Sequence, residues 1–190
     1  MEFLSQLWLP ILISGVSVWI ASFIAWMMIG HHRKDRDAIP GGGEQAFMDT
    51  VTRMNIKPGN YGFPDFCQHD NLPRQERMAA RKALYDRRPM GTLRVWGEMN
   101  MGVNMLVTFL FYLVTSAMIG YLTWAAFGRG ASAGKIVQVA GTAGILAYCF
   151  ASFPHDIWFQ KKRRAMMMDW LDGIVFGLIT GAIFAWLWPR

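Results

Sequence analysis

The chain has 190 residues, of which 53% are hydrophobic, 14% aromatic and only 17% charged. Soluble globular chains carry roughly 45–50% apolar and about 25% charged residues. Yet 19 Lys and Arg face 13 Asp and Glu, a formal net charge of +6, and there are two cysteines. This balance excludes disorder, a collagen-like fibre and a disulfide scaffold, and points to an integral membrane protein.

Four stretches lack Asp, Glu, Lys, Arg and His: Leu4 to Gly30, Met99 to Gly128, Ile136 to Pro154 and Gly173 to Pro189. A spanning helix needs about 20 largely apolar residues, with a range of about 17–25. The predicted class is therefore all-α and polytopic, a single membrane domain over 1–190. Its transmembrane helices are expected near 4–30, 101–127, 136–154 and 170–188. The first segment reads as a retained anchor rather than a cleaved signal. Its apolar run is too long, and the basic flank His31-His32-Arg33-Lys34-Asp35-Arg36 follows it.

The connection 31–100 is the one long loop, and short helices are expected in it. Glu44 to Asn55 places Phe47, Val51 and Met54 at helical spacing. Lys57 to Asp65 is rich in turn residues and reads as irregular. Pro73 to Arg88 reads as a basic helix with Met78, Ala80, Leu84 and Tyr85 as a modest apolar stripe. So few core residues make a weak independent domain, and the loop is expected to lie on anionic lipid head groups.

Basic residues set the expected orientation, because positive loops stay cytoplasmic. Sixteen of the 19 Lys and Arg fall in the loops 31–100 and 155–172. Both loops are thus expected inside, with both termini periplasmic or extracellular. Arg33, Lys34 and Arg36, with Lys161, Lys162, Arg163 and Arg164, form the expected membrane-surface basic sets. The charge is topological and gives no reason to invoke nucleic acid. Trp8, Trp26, Trp124, Trp158, Trp170, Trp186 and Trp188 suit interfacial belts.

Gly173, Gly177 and Gly181 recur every four residues on the fourth helix, and Ala185 continues the row. Small residues let helix backbones approach closely. The row serves either packing inside the bundle, with Ala140, Ala143, Gly144 and Ala147 opposite, or docking of a partner or second copy. Asp169 and Asp172 stand at the entrance of that helix. They are either functional acids at the hydrocarbon edge or carboxylates that favour the helix N-terminus.

His31, His32 and His155 end the first and third helices and are weak candidates for a metal or haem. Cys67-Gln68-His69-Asp70 lacks a second Cys/His pair at zinc spacing, and Cys149 reads as a small hydrophobe. No span holds a central ionisable side chain, as proton relays and ion pathways require. Phosphate-loop, dinucleotide, zinc-protease and nucleophile-elbow motifs are missing from the sequence. Catalysis is not expected, and neither is a cofactor.

Phe3-Leu4-Ser5-Gln6-Leu7-Trp8-Leu9-Pro10, Ile56-Lys57-Pro58-Gly59-Asn60-Tyr61 and Asp172-Gly173-Ile174-Val175-Phe176-Gly177 through Trp186-Leu187-Trp188-Pro189 resemble a family of small bacterial inner-membrane proteins. The likeness spans nearly the whole chain, although Arg74 to Arg88 is richer in arginine. The resemblance implies four spans in a bacterial inner membrane. That family carries no assigned activity, so it brings no site residues with it.

Three functional readings follow. The first is a non-enzymatic accessory, assembly or scaffolding component, working with a membrane-protein partner or as a homo-oligomer. The second is a small-solute carrier or channel with Asn104, Gln138 and Thr142 around a polar cavity. The third is a metal- or haem-binding redox protein using His31, His32 and His155.

Overall fold

The computed structural model describes residues 2–65, 67 and 70–190. Among the described residues, four helices are long and apolar enough to cross a membrane: α1 (Glu2–Ile29), α4 (Met101–Phe127), α5 (Ala133–Trp158) and α6 (Arg163–Leu187). Between the first two lie α2 (Glu44–Arg53), β1 (Gly59–Phe63), α3 (Arg74–Asp86) and β2 (Gly91–Val95). The protein is an all-α, multi-pass membrane protein with one small sheet. In hydrocarbon each backbone N–H and C=O must be satisfied within the segment, which is why the uncharged runs become helices.

The chain divides into two compact units, 1–37 with 100–190 and 38–99. The expected membrane domain with its loop is thus a four-helix unit and a smaller unit made from the loop. In the first, α1 packs on both α4 and α6, and α5 packs on α6. One core cluster joins Leu7, Ile11, Ile119, Ile136, Ala140, Phe184 and Trp188. A second joins Val18, Ala25 and Phe176, bordered by Tyr112 and Tyr148.

Two helix ends match the sequence closely. Asn100 caps α4 by accepting a hydrogen bond from the Val103 amide at 3.1 Å. Gly30, with φ of 68°, ends α1 in the left-handed conformation that costs glycine little.

The third and fourth helices are longer than the expected 136–154 and 170–188, reaching 133–158 and 163–187. An uncharged run marks only the part that hydrocarbon demands. The charged turns beyond it stay helical because their side chains are paired with 31–37 and with Lys161, as described below. α5 also contains two wide π-turns, Val137–Gly141 and Leu146–Phe150, on the stretch that meets α6.

In the smaller unit β1 and β2 pair antiparallel, with Gly59 opposite Val95, Tyr61 opposite Leu93 and Phe63 opposite Gly91. The expectation of an irregular segment over 57–65 is therefore corrected. Glycine and asparagine disguise the strand, and Gly91 has a reason to be glycine: a Cβ there would lie 2.9 Å from the Phe63 ring. The two loop helices form one or two residues inside their expected bounds, at 44–53 and 74–86. Of the expected stripe on α3, Leu84 is buried while Met78 and Tyr85 are exposed.

Candidate functional site

The glycine row faces inward, against α5. A Cβ on Gly177 would stand 2.6 Å from the Ile145 backbone nitrogen, and one on Gly144 would stand 2.8 Å from the Gly177 Cα. Gly181 meets Gly141 in the same way, at 2.9 Å, and Gly173 meets the Tyr148 carbonyl carbon at 3.0 Å. Ala185 packs against the first core cluster. Of the two readings of this row, packing inside the bundle is the one the structure bears out. The partner-docking use of Gly173, Gly177 and Gly181 is corrected, since α5 already occupies that face.

Asp169 and Asp172 do not cap α6. The helix starts at Arg163, and Lys162 makes no side-chain cap bond. The acids therefore lie in the second and third turns, beyond the reach of the free amides at the start. They instead receive groups from elsewhere in the chain. After Gly30 the backbone makes one tight turn over His31–Lys34, which carries both imidazoles onto α6. His31 Nε2 donates to Asp172 Oδ1 at 3.0 Å, and His32 Nε2 donates to Asp172 Oδ2 at 2.9 Å. The other nitrogen of His32, Nδ1, donates to Asp35 Oδ2 at 2.5 Å. Trp26 stacks on the His32 ring, with centroids 3.8 Å apart and planes 6° from parallel.

Basic side chains complete the cluster. Arg164 donates from Nη1 to Asp35 Oδ1 and from Nη2 to the His31 carbonyl, both at 2.8 Å. Lys162 donates to the Lys34 carbonyl at 3.1 Å and to Asp37 at 2.5 Å. Lys161 reaches Asp156 at 3.1 Å and also pairs with Asp169. Segment 31–37 is thus tied to 161–172 by imidazole, guanidinium and ammonium groups. His32 and Asp172 are only 8% and 9% exposed.

The electrostatics follow from these contacts. Burial opposes charge on His32, but its hydrogen bonds to Asp172 and Asp35 outweigh burial and raise its pKa above 6.5. Both ring nitrogens face carboxylate oxygens, the arrangement of an imidazolium. Burial likewise opposes charge on Lys161, and Asp169 and Asp156 overcome it, raising its pKa. Beside the cluster a cavity of about 290 Å³ is lined in part by Trp26, Tyr112, Asp169, Asp172 and Phe176.

The structure therefore brings together His31, His32, Asp169, Asp172, Lys161, Lys162 and Arg164 from the candidate residues. His155 stays apart: it is exposed, stacks on Phe159 at 4.4 Å and lies 3.7 Å from Asp156. The expected trio of His31, His32 and His155 is corrected to His31, His32 and Asp172. Arg33, Lys34, Arg36 and Arg163 are exposed as a surface basic set would be, while Lys161, Lys162 and Arg164 are engaged with carboxylates. Gln68 and His69 of the Cys67–Asp70 group lie outside the described residues. Asp70 pairs with Arg81 at 2.6 Å.

Asp35 is the member of this cluster that sequence reading misses. It sits inside a run read for its basic residues, although its place three residues after His32 is a legible signal. The polar cavity that a carrier requires is also corrected. Asn104, Gln138 and Thr142 are all exposed and do not surround a shared interior space. Inside, Ser116 donates to Ser14 at 3.3 Å, and Thr123 and Thr180 donate back to carbonyls of their own helices. The Tyr148 hydroxyl is buried near Ser116 and Thr180 without reaching hydrogen-bond geometry.

No protein-family model, curated protein or solved structure matches the chain. The functional reading accordingly rests on the geometry above.

Proposed function

We propose that this protein is a non-enzymatic accessory or assembly component of a bacterial inner membrane, with 31–100 and 155–172 cytoplasmic and both termini outside. Four helices hold it in the bilayer, and the unit 38–99 presents the docking surface. The observation that carries this reading is an apolar groove of about 560 Å³ in that unit, lined by residues that include Phe47, Val51, Met54, Tyr61, Phe63 and Leu93. Exposed apolar surface of this kind marks interaction sites on folded proteins. The exposed positions of Asn104, Gln138 and Thr142 weigh against a carrier.

Extraction of the full chain from its native membrane in mild detergent tests the proposal. The expected result is a complex of fixed stoichiometry that Met54→Asp reduces to the lone chain. Met54 is 66% exposed, so this substitution leaves folding intact. A monomer in the unsubstituted protein, or a complex indifferent to Met54→Asp, overturns it.

A further inference from the structure

We propose that His31, His32 and Asp172 form a binding site for one divalent transition-metal ion. Their ligand atoms all lie within 4.8 Å of one another, although the chain brings them from segments about 140 residues apart. A four-coordinate ion with bonds of about 2.0–2.2 Å sets its ligands roughly 3.4 Å apart. The observed separations, from 2.9 Å between His32 Nε2 and Asp172 Oδ2 up to 4.8 Å, bracket that value. Closing the set on an ion therefore needs small side-chain adjustments and release to solvent of the Nε2 protons that His31 and His32 donate to Asp172.

The surroundings are those of a supported ligand set. A ligating imidazole ordinarily donates its second N–H to a carboxylate, which fixes its tautomer and orientation. Asp35 provides this for His32 at 2.5 Å, and Arg164 holds Asp35 in turn at 2.8 Å. The Trp26 ring fixes the plane of His32 from the other side. Arg164 also anchors the His31 carbonyl, so both histidines hang from one guanidinium.

Two imidazole nitrogens with one carboxylate suit zinc, iron, manganese or cobalt, whereas calcium and magnesium favour all-oxygen cages. Three protein ligands leave at least one position open. The cavity beside Asp172, about 290 Å³ and walled by Trp26, Tyr112 and Phe176, gives an exogenous water or small anion room beside that ligand. This proposal is independent of the docking reading, because every residue in it belongs to the four-helix unit.

The test uses the full chain in detergent, purified without a polyhistidine tag, stripped by chelator and titrated with Co²⁺ under visible absorption. One equivalent is expected to produce d–d bands, with Zn²⁺ displacing it. His31→Gln and Asp172→Asn should abolish the bands, and Asp35→Asn should weaken binding about 10–100-fold. His155→Gln should leave the titration unchanged. His31 is only half-buried, so its variant keeps the test decisive if Asp172→Asn fails to fold. No bands from the unsubstituted protein, or bands that survive His31→Gln, overturn the assignment.

Discussion

His32 Nε2 lies 2.9 Å from Asp172 Oδ2, joining the end of the first spanning helix to the third turn of the last. The pair closes one end of the bundle, because α1 and α6 also pack along their lengths. A buried carboxylate is tolerable only when its oxygens are paired, and His31 and His32 take one each.

Stability should depend on pH through this pair. The folded protein holds the His32 proton more tightly than the unfolded chain does. Burial opposes that proton, and the bonds to Asp172 and Asp35 more than offset it. The stabilisation is therefore fully present below the unfolded value of 6.5 and is lost as pH rises through the raised folded value. Thermal unfolding in chelator should show a midpoint that falls above about pH 6.5, at no more than about 1.4 kcal/mol per pH unit from this one group. His32→Gln should flatten that fall, and an unaltered slope in the variant would contradict the assignment.

The glycine row makes a second prediction. Gly177→Leu drives a side chain into the Ile145 backbone, 2.6 Å from where its Cβ must stand. Overpacking of this kind costs about 1–3 kcal/mol, and more where backbone cannot yield. Gly134→Ala, in the same pair of helices but with open space around it, should be neutral or stabilising by up to about 1 kcal/mol. Unfolding midpoints of the two variants in detergent separate these outcomes. Equal tolerance of both would contradict the internal use of the row.

Arg164 should resist conservative replacement. Its two terminal nitrogens serve two different acceptors, Asp35 and the His31 carbonyl. A lysine ammonium presents no such planar fork. Arg164→Lys should therefore cost about 1 kcal/mol, the worth of one hydrogen bond. In an Arg164→Lys, Asp35→Asn double-mutant cycle the loss should shrink in the Asp35→Asn background, because the partner is already gone; a coupling energy near zero would contradict the shared network.

Much of the fold is legible because hydrocarbon imposes a simple demand. The runs 4–30 and 101–127 lie within two residues of the observed α1 and α4, since ionisable residues resume, at His31 and Arg129, just where the helices stop. α6 escapes that rule: Arg163 to Asp172 is charged yet helical, because Arg164 and Asp172 pair with 31–37 and Asp169 pairs with Lys161. Strand β1 escapes for a different reason. Gly59, Asn60 and Gly62 carry turn preferences that pairing with β2 overrides. At the site, His31, His32 and Asp172 are each visible in the sequence, but their meeting depends on one tight turn after Gly30, and periodicity holds no record of it.

Orientation underlies the proposed function, which has the segment 31–100 on the cytoplasmic side of the membrane. Cys67 is an exposed free thiol in that segment, whereas Cys149 is buried within α5. Labelling of Cys67 by a membrane-impermeant maleimide is thus the most direct measurement. A cytoplasmic Cys67 should show no labelling in intact cells and full labelling in inverted membrane vesicles. Labelling in intact cells would contradict this orientation.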